Sequence, residues 1–529
     1  MSQHNIDVLV VGAGPVGLFC ANELIRQGLS CRIIDKKSGL SEHSKALGLH
    51  IRTLDLFTDC QLIDDFLTEG NPVEGVLLKS KGKTLVDATF NDIKANWHYL
   101  IDLPQNKTEA IFNKHLEKKG VSVEWNTELT HLSQSPTEIT ATIRKPNNKI
   151  ELFNATWLIA CDGAHSTVRH QVGAEFKGSA YSQEWWLADL MVDWPLPANR
   201  MSIYISEKGP LACFPMGNKR YRLVMTAATK STGDPTLQDI ENTFKDRSSD
   251  QAVLSAPIWL SRFSIHHRQI QNYRFDRVFF AGDAAHIHSP MGGQGLNTGI
   301  QDAYNLAWKL ALVEKKKAKP DLLNSYHEER YPVGLDVLKK TDIMTRMILL
   351  KNPLAVALRN RMIGFVTSFK FIRNKLANNL AELTISYAKS PIVQQTGCKR
   401  GMKAGAFIPS FSLTDPTHAK TLDSNEIVQG IQHHLFIFEG TKTKKNQALI
   451  TLAKELAQKH PTTMQVHLVL AKKAELVSDK IHLWVDENQA QQTLGIKKPT
   501  LILVRPDKYI GIVKKSINSK TTLNDFYLM

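Results

Sequence analysis

"IDVLVVGAGPVGLFCANELIRQGLSCRIIDK", residues Ile6 to Lys36, decides the fold. The apolar run from Ile6 to Val11 predicts a strand. Gly12-x-Gly14-x-x-Gly17 then predicts a tight turn into a helix, and a second strand ends at Asp35. In a dinucleotide site each glycine has its own task. Gly12 permits the turn, Gly14 lets a pyrophosphate approach the backbone, and Gly17 lets the helix pack close to the strand. The helix start offers unbonded N–H groups and the positive end of a dipole to phosphate. Asp35 stands where a carboxylate accepts hydrogen bonds from a ribose diol. The glycines alone are a weak signal; the strand before them and the helix and acid after them supply the context. The pattern does not separate NAD from FAD.

The chain around this unit has 529 residues, which suggests roughly three domains. It is 42% hydrophobic and 22% charged, a globular composition. A formal charge of +15 raises nucleic acid, a membrane surface or anionic small molecules as partners. No zinc-finger spacing, RNP-like motif or basic arm supports nucleic acid. Cys20, Cys31, Cys60, Cys161, Cys213 and Cys398 lie far apart without C-x-x-C, so reduced thiols in a cytoplasmic protein are expected. The N-terminus lacks the basic region of a signal peptide. No apolar run is long enough for a membrane-spanning helix.

Two further stretches repeat the theme of a strand running into Asp or Gly-Asp. They are "WLIACDGAHSTVRHQVG" (Trp157–Gly173) and "FFAGDAAHIHSPMGGQGLNTGIQDAYNLAWKLAL" (Phe279–Leu312). The three together, in this order, resemble the single-component flavin monooxygenases of the aromatic hydroxylase family, the phenol and para-hydroxybenzoate hydroxylases. The segment "LLNSYHEERYPVG" is similar to that family as well. The resemblance implies an α/β fold: a Rossmann-like FAD-binding domain, an inserted β-sheet substrate domain and a C-terminal thioredoxin-like domain.

It also implies site residues. Gly12, Gly14 and Gly17 would hold the FAD pyrophosphate and Asp35 the adenosine ribose. Gln105 would lie near the ribityl and phosphate region. Asp162 and Arg169 would serve FAD and the nicotinamide donor, and Asp283 the ribityl chain. Gly292, Gly293, Gly295, Leu296 and Asn297 would set backbone amides against the flavin ring, with the Pro290 carbonyl beside the substrate. The helix that follows has Ile300, Ala303, Leu306, Ala307, Leu310 and Ala311 on one face. Its N-terminus would favour the anionic reduced flavin by up to about 2 kcal/mol. Two departures stand out. Lys45 replaces the arginine usual after the ribose-binding strand, keeping the charge without the bidentate fork. Leu47 stands where related phenol hydroxylases carry an acid, so the acid/base group is unknown. His286 and His288 lack a third partner, and no metal is expected.

The chemistry implied is reduction of FAD by NADH or NADPH, then O2 addition to a C4a-hydroperoxide that transfers one oxygen to an aromatic or polycyclic small molecule. Trp185, Tyr204, Phe214, Met216 and Arg222 are the candidate substrate residues; Arg222 pairs either with an anionic substrate or with a neighbouring carboxylate. Expected boundaries are 1–75, 100–180 and 275–335 for a discontinuous FAD domain, and 76–99 with 181–274 for the substrate sheet. A basic helical segment follows at 336–395, and a thioredoxin-like domain without C-x-x-C at 400–529. Packing is the favoured role of the basic helices, with peripheral membrane contact left open, as is a homodimer. Rival functions are a reductase or dehydrogenase on the same fold and a non-catalytic binder of a hydrophobic ligand. A halogenase is disfavoured because W-x-W-x-I-P is missing.

Overall fold

The computed structural model describes residues 6–528 except 43, 45, 94, 229–232, 351, 398–400, 443–445, 473–477, 479, 488, 519–520 and 522–526. Lys45 and Cys398 therefore lie outside the described residues. Backbone packing divides the chain into two compact units. One takes in the residues up to 25, 29–303 and 331–383; the other takes in 26–28, 304–330 and 384 onward.

The first unit holds a seven-stranded mixed sheet whose parallel strands run in the order Val278–Phe280, Ile150–Ala160, Ile6–Val11, Cys31–Ile34. Val8, Leu9 and Val10 are fully buried, as strands covered on both faces must be. The register is what positions the site. Val11 pairs with Ala160 and with Ile34, and Ala160 pairs with Phe280. The Gly12 turn, Asp35, the Asp162 loop and the Gly282-Asp283 loop therefore all leave the carboxyl edge of the sheet at one level. That edge is where ligands of open α/β sheets bind.

A second, eight-stranded sheet in this unit is built on two long antiparallel strands, Phe176–Asp193 and Val253–Ile270. Side chains alternate across it with period two. Trp185 and Leu187 join Val224 and Ile265 in one cluster. Trp186, Ala188 and Leu190 join Leu211, Leu223, Ile240 and Phe244 in another. Ile240 and Phe244 come from the helix Leu237–Arg247, whose start is closed by a reciprocal capping box between Thr236 and Asp239.

The second unit holds an eight-stranded sheet whose centre runs Ile510–Lys515, Thr500–Val504, His433–Phe438, Met464–Leu470, Ile481–Val485. The helix Asn446–Lys459 places Leu449, Leu452 and Leu456 in its core. Trp308, Ala318 and Leu322 belong to that same core. The stretch 304–330, expected with the flavin domain, thus packs with the C-terminal sheet, because its apolar side chains complete that sheet's hydrophobic cluster. No C-x-x-C occurs there, and the described cysteines are free thiols.

A chain of buried rings crosses this sheet. The Trp484 indole donates to His467 Nδ1 at 3.0 Å. His434 Nε2 lies 3.1 Å from the Gln429 carbonyl, which only accepts, so His434 Nδ1 is bare and accepts from His467 Nε2 at 3.0 Å. Both rings are thereby neutral with defined tautomers. A proton on either would set N–H against N–H. Burial lowers both well below the ordinary histidine range, aided by Lys508 beside His434, and lowers His433 to about 3. Groups held neutral in the fold contribute stability above the unfolded value near 6.5, and that contribution falls as pH drops below it. Three such histidines should cost roughly 4 kcal/mol per pH unit below about pH 6.5. Guanidinium titrations of the protein between pH 7.5 and 5, in about half-unit steps, measure that slope. A flat profile would show that the ring chain does not govern acid stability.

Candidate functional site

Three loops and one carboxylate converge at the edge of the parallel sheet, all within the first unit. Gly12 has φ +102°, and a Cβ there would lie 2.4 Å from the Cys161 carbonyl oxygen. The first and second motif loops thus touch backbone to backbone. Asp35 is 8% exposed. It accepts from the Ala13 N–H at 2.7 Å and the Lys37 N–H at 2.9 Å, which fixes its carboxylate beside the glycine turn. A Cβ on Gly14 meets nothing within 4 Å, so open space lies over the start of the helix Pro15–Arg26. The first-turn amides of that helix have no partner four residues back, which suits phosphate.

The second loop carries Asp162 and Arg169. Asp162 accepts from the Val168 N–H at 3.1 Å, while its other oxygen is buried with no partner among the described residues. Burial pushes its pKa up. Arg169 donates to the Ala284 and Ala164 carbonyls at 3.2 and 2.7 Å and covers the Phe176 ring. It ties the second loop to the third. Asp283 is exposed at the head of that third loop.

Beyond it, the Gly293 N–H donates to the Pro290 carbonyl at 2.9 Å, so that carbonyl closes the turn. Gly292 and Gly293 have φ of +92° and +63°. The helix Gly295–Glu314 then starts. Its apolar positions are buried as expected from their period, but the opposite face is buried too: Asn297, Thr298, Gln301 and Asp302 are at most 4% exposed. Their polar groups act as staples. Asn297 accepts from the His50 N–H and the Thr53 hydroxyl, and donates to the Gly48 and Gly293 carbonyls, all between 2.7 and 2.9 Å. Its amide is saturated by protein. Only its backbone, with those of Gly295 and Leu296, remains to face a ligand. Asp302 accepts from the Gly282 N–H at 3.2 Å and pairs with His286 at 2.7 Å, which accounts for His286 without a metal. No group of residues that could hold a metal occurs among the described residues.

Gln105 braces Ser44 and Ala46. Its backbone N–H donates to Ser44 Oγ at 2.7 Å, and its side-chain oxygen accepts from the Ala46 N–H at 3.2 Å.

The candidate substrate residues separate. Trp185 and Phe214 share a cluster with Met291, inside the glycine loop, together with Tyr181, Trp259 and Phe263. The Trp185 indole N–H is buried without a partner among the described residues. Tyr204 lies on the other face of the sheet, donating to Asp250 at 2.5 Å among the residues under the capped helix. It does not share the Met291 face. Met216 sits half-buried at a hairpin, its N–H donating to the Arg220 carbonyl. Arg222 forms a bidentate pair with Asp189, both contacts 2.8 Å, and is 2% exposed. Of its two alternatives, the neighbouring carboxylate is the partner.

Two groups, Asp102 and His50, escaped sequence reasoning, and His288 takes a place that the sequence does not assign it. Asp102 pairs across strands with Gly48, one residue from Leu47. It is 2% exposed, and one of its oxygens has no partner among the described residues. Burial pushes its pKa up to about 8, against the pull of Arg222. An acid is therefore missing at Leu47 but present beside it in space. The only signal was an aspartate ending the short strand Leu100–Asp102. His50, held neutral by burial with its pKa lowered to about 4, lies 3.4 Å from where a Gly293 Cβ would stand. His288, similarly lowered to about 4 by burial and by His286, lies 3.4 Å from the Cβ position of Gly295.

Comparison with known proteins agrees with this geometry. Residues 5–341 match the family model described as an FAD binding domain. The chain is 30% identical to 6-methylpretetramide 4-monooxygenase of Streptomyces rimosus, over 98% of this chain and 92% of that protein. It is 32% identical to pentachlorophenol 4-monooxygenase of Sphingobium chlorophenolicum over 65% of each. Among solved structures, the anhydrotetracycline hydroxylase OxyS from Streptomyces rimosus superposes with a TM-score of 0.76, at 26% identity and 98% coverage of both chains.

Proposed function

Since this chain belongs to the FAD-dependent aromatic hydroxylases and is a flavin-dependent monooxygenase, we propose that it uses NADPH or NADH to insert one atom of O2 into a polycyclic aromatic small molecule. The observation that carries the cofactor assignment is the common level at which the three loops leave the sheet. The open space over Gly14 and the partnerless Asp162 oxygen fit FAD. Gly12, Gly14 and Gly17 would face its pyrophosphate, Asp35 its ribose, and Asp283 its ribityl chain. Bound FAD supplies the dioxygen activation, with electrons from the nicotinamide donor.

The remaining work falls to this chain's residues. The cluster of Trp185, Phe214, Trp259, Phe263 and Met291 offers an apolar, aromatic wall for a flat substrate. The Trp185 N–H, without a protein acceptor among the described residues, would orient a substrate oxygen. The same wall excludes water from the reacting face. The amides of Gly295, Leu296 and Asn297 would stabilise negative charge on the reduced ring. Asp102, protonated near neutrality, would hold or move the proton of a substrate hydroxyl. Multi-ring substrates of the relatives, including 6-methylpretetramide, support the polycyclic class. The C-terminal sheet, with three parallel strands flanked by an antiparallel hairpin, supports a thioredoxin-like topology without thiol chemistry.

A panel of phenols and polycyclic phenols tests this reading. At least one polycyclic compound should accelerate NADPH or NADH oxidation roughly tenfold or more, as expected when substrate binding completes the site. Peroxide release should not rise in proportion. Stimulation matched by equal peroxide, or none across the panel, would refute it. With the stimulating compound, Asp102→Asn should remove an inflection near pH 8 from the rate profile.

A further inference from the structure

The segment from Leu335 to Leu376 carries twelve of the eighteen large apolar side chains that are exposed among the described residues. They concentrate on the helix Pro353–Ser368 and its neighbour Lys370–Leu380. Leu354, Leu358, Met362 and Phe365, at 82, 62, 57 and 68% exposure, follow helical spacing along one face. Phe369, Phe371 and Leu376 continue the surface. A contiguous apolar patch of this kind marks an interaction site.

Charge selects the occupant. Between Asp342 and Glu382 the chain has seven Lys and Arg and no carboxylate. Arg346, Arg361, Lys370 and Lys375 are exposed; Arg346 pairs with Asp342 and Lys370 with Asp92. A second copy docking through the same face would oppose like charges. An anionic lipid surface would meet the cations with phosphate and accept the Leu and Phe side chains among its acyl chains. No described helix is long and apolar enough to cross a membrane, so this contact lies in the interface.

We infer that the helical pair Pro353–Ser368 and Lys370–Leu380 is a peripheral docking site for an anionic phospholipid surface. Both ends of the segment are tied to the candidate active site. Leu349 packs in the cluster of Trp185 and Met291. Leu380 lies 3.8 Å from the Cβ position of Gly292, and the Asn379 carbonyl accepts from Gln294 at 3.5 Å. Docking there would bring a membrane-dissolved ring compound to the aromatic wall, a consequence that rests on the proposed function; the docking itself does not.

Co-sedimentation of the full FAD-loaded chain with vesicles tests it. One set contains phosphatidylcholine and phosphatidylglycerol, the other phosphatidylcholine alone. The protein should pellet with the anionic set, and less so as salt rises. Each apolar side chain withdrawn from the bilayer should weaken partitioning by about tenfold. The triple change Leu354→Ser, Phe365→Ser, Phe371→Ser should therefore abolish sedimentation. Arg361→Glu with Lys375→Glu should weaken it while leaving the apolar face intact. Retained flavin absorbance shows that the variants fold, and because no turnover is measured, failure here leaves the proposed reaction untouched. Absence of sedimentation, equal binding to neutral vesicles, self-association lost in the triple variant, or capture by polyglutamate in place of vesicles would each overturn the inference.

Discussion

Gly17→Val is expected to purify colourless. A Cβ at position 17 would stand 1.8 Å from the Gly12 carbonyl oxygen, 3.0 Å from its carbon and 3.2 Å from the Cys161 Cβ. The first two are backbone atoms with no rotamer to swing aside. Strand and helix would have to part by roughly 1.5–2 Å to restore ordinary contact. That movement carries the helix N-terminus away from the phosphate position. A second change separates lost packing from lost binding. Gly14→Ala adds a methyl into open space, so it should leave the unfolding midpoint of the flavin-free protein unchanged. If a pyrophosphate occupies that space, the same methyl should weaken flavin binding by at least about tenfold, or roughly 1.4 kcal/mol. Flavin fluorescence quenching measures both variants. Gly14→Ala binding FAD as tightly as the parent would remove the pyrophosphate from this turn.

Glu329→Leu should damage the second unit most. Glu329 is fully buried and accepts from Arg505 at 2.6 and 2.9 Å, Lys309 at 2.7 Å, Asn305 at 2.8 Å and Ser390 at 2.6 Å. Arg505 is also held by Asp507. Two cations and two anions balance, without exposure to water. Burial opposes the Glu329 charge, but Arg505 and Lys309 outweigh it and hold the carboxyl below its usual range. Removing it leaves two buried cations facing one carboxylate, a change of about 3–5 kcal/mol by analogy with other broken buried pairs. Burial already lowers Lys309 to about 8, so in the variant it should lose its proton near neutral pH. Destabilisation should then ease as pH rises from about 7 to 9, the same direction as the acid sensitivity of the histidine chain but in a higher pH window. Urea denaturation at both pH values reads the effect. Parent-like stability in Glu329→Leu would show that the cluster is dispensable.

Much of this was legible in the chain itself. The glycine turn and Asp35 announce a strand–helix–strand unit because close approach leaves few residue choices at Gly12 and Gly17. The C-terminal strands and helix were visible from their apolar periods. The polar side of the helix Gly295–Glu314 was not, since a period of 3.6 reports which face is apolar but not whether the other face meets water. Asn297 and Asp302 lie buried there because each has partners distant in sequence. Tyr204 lies on the face away from Met291, and alternation along a strand does not say which face meets the glycine loop. Asp102 was hidden because its neighbour Gly48 lies on another strand of a short sheet.

The core of the C-terminal sheet borrows Trp308, Ala318 and Leu322 from the middle of the chain. A module excised at about residue 400 would therefore arrive with its floor missing. Gene fusions that graft this sheet onto another flavoenzyme need two junctions rather than one, and recombination between relatives that exchanges only the tail must find a matching mid-chain helical segment in the recipient.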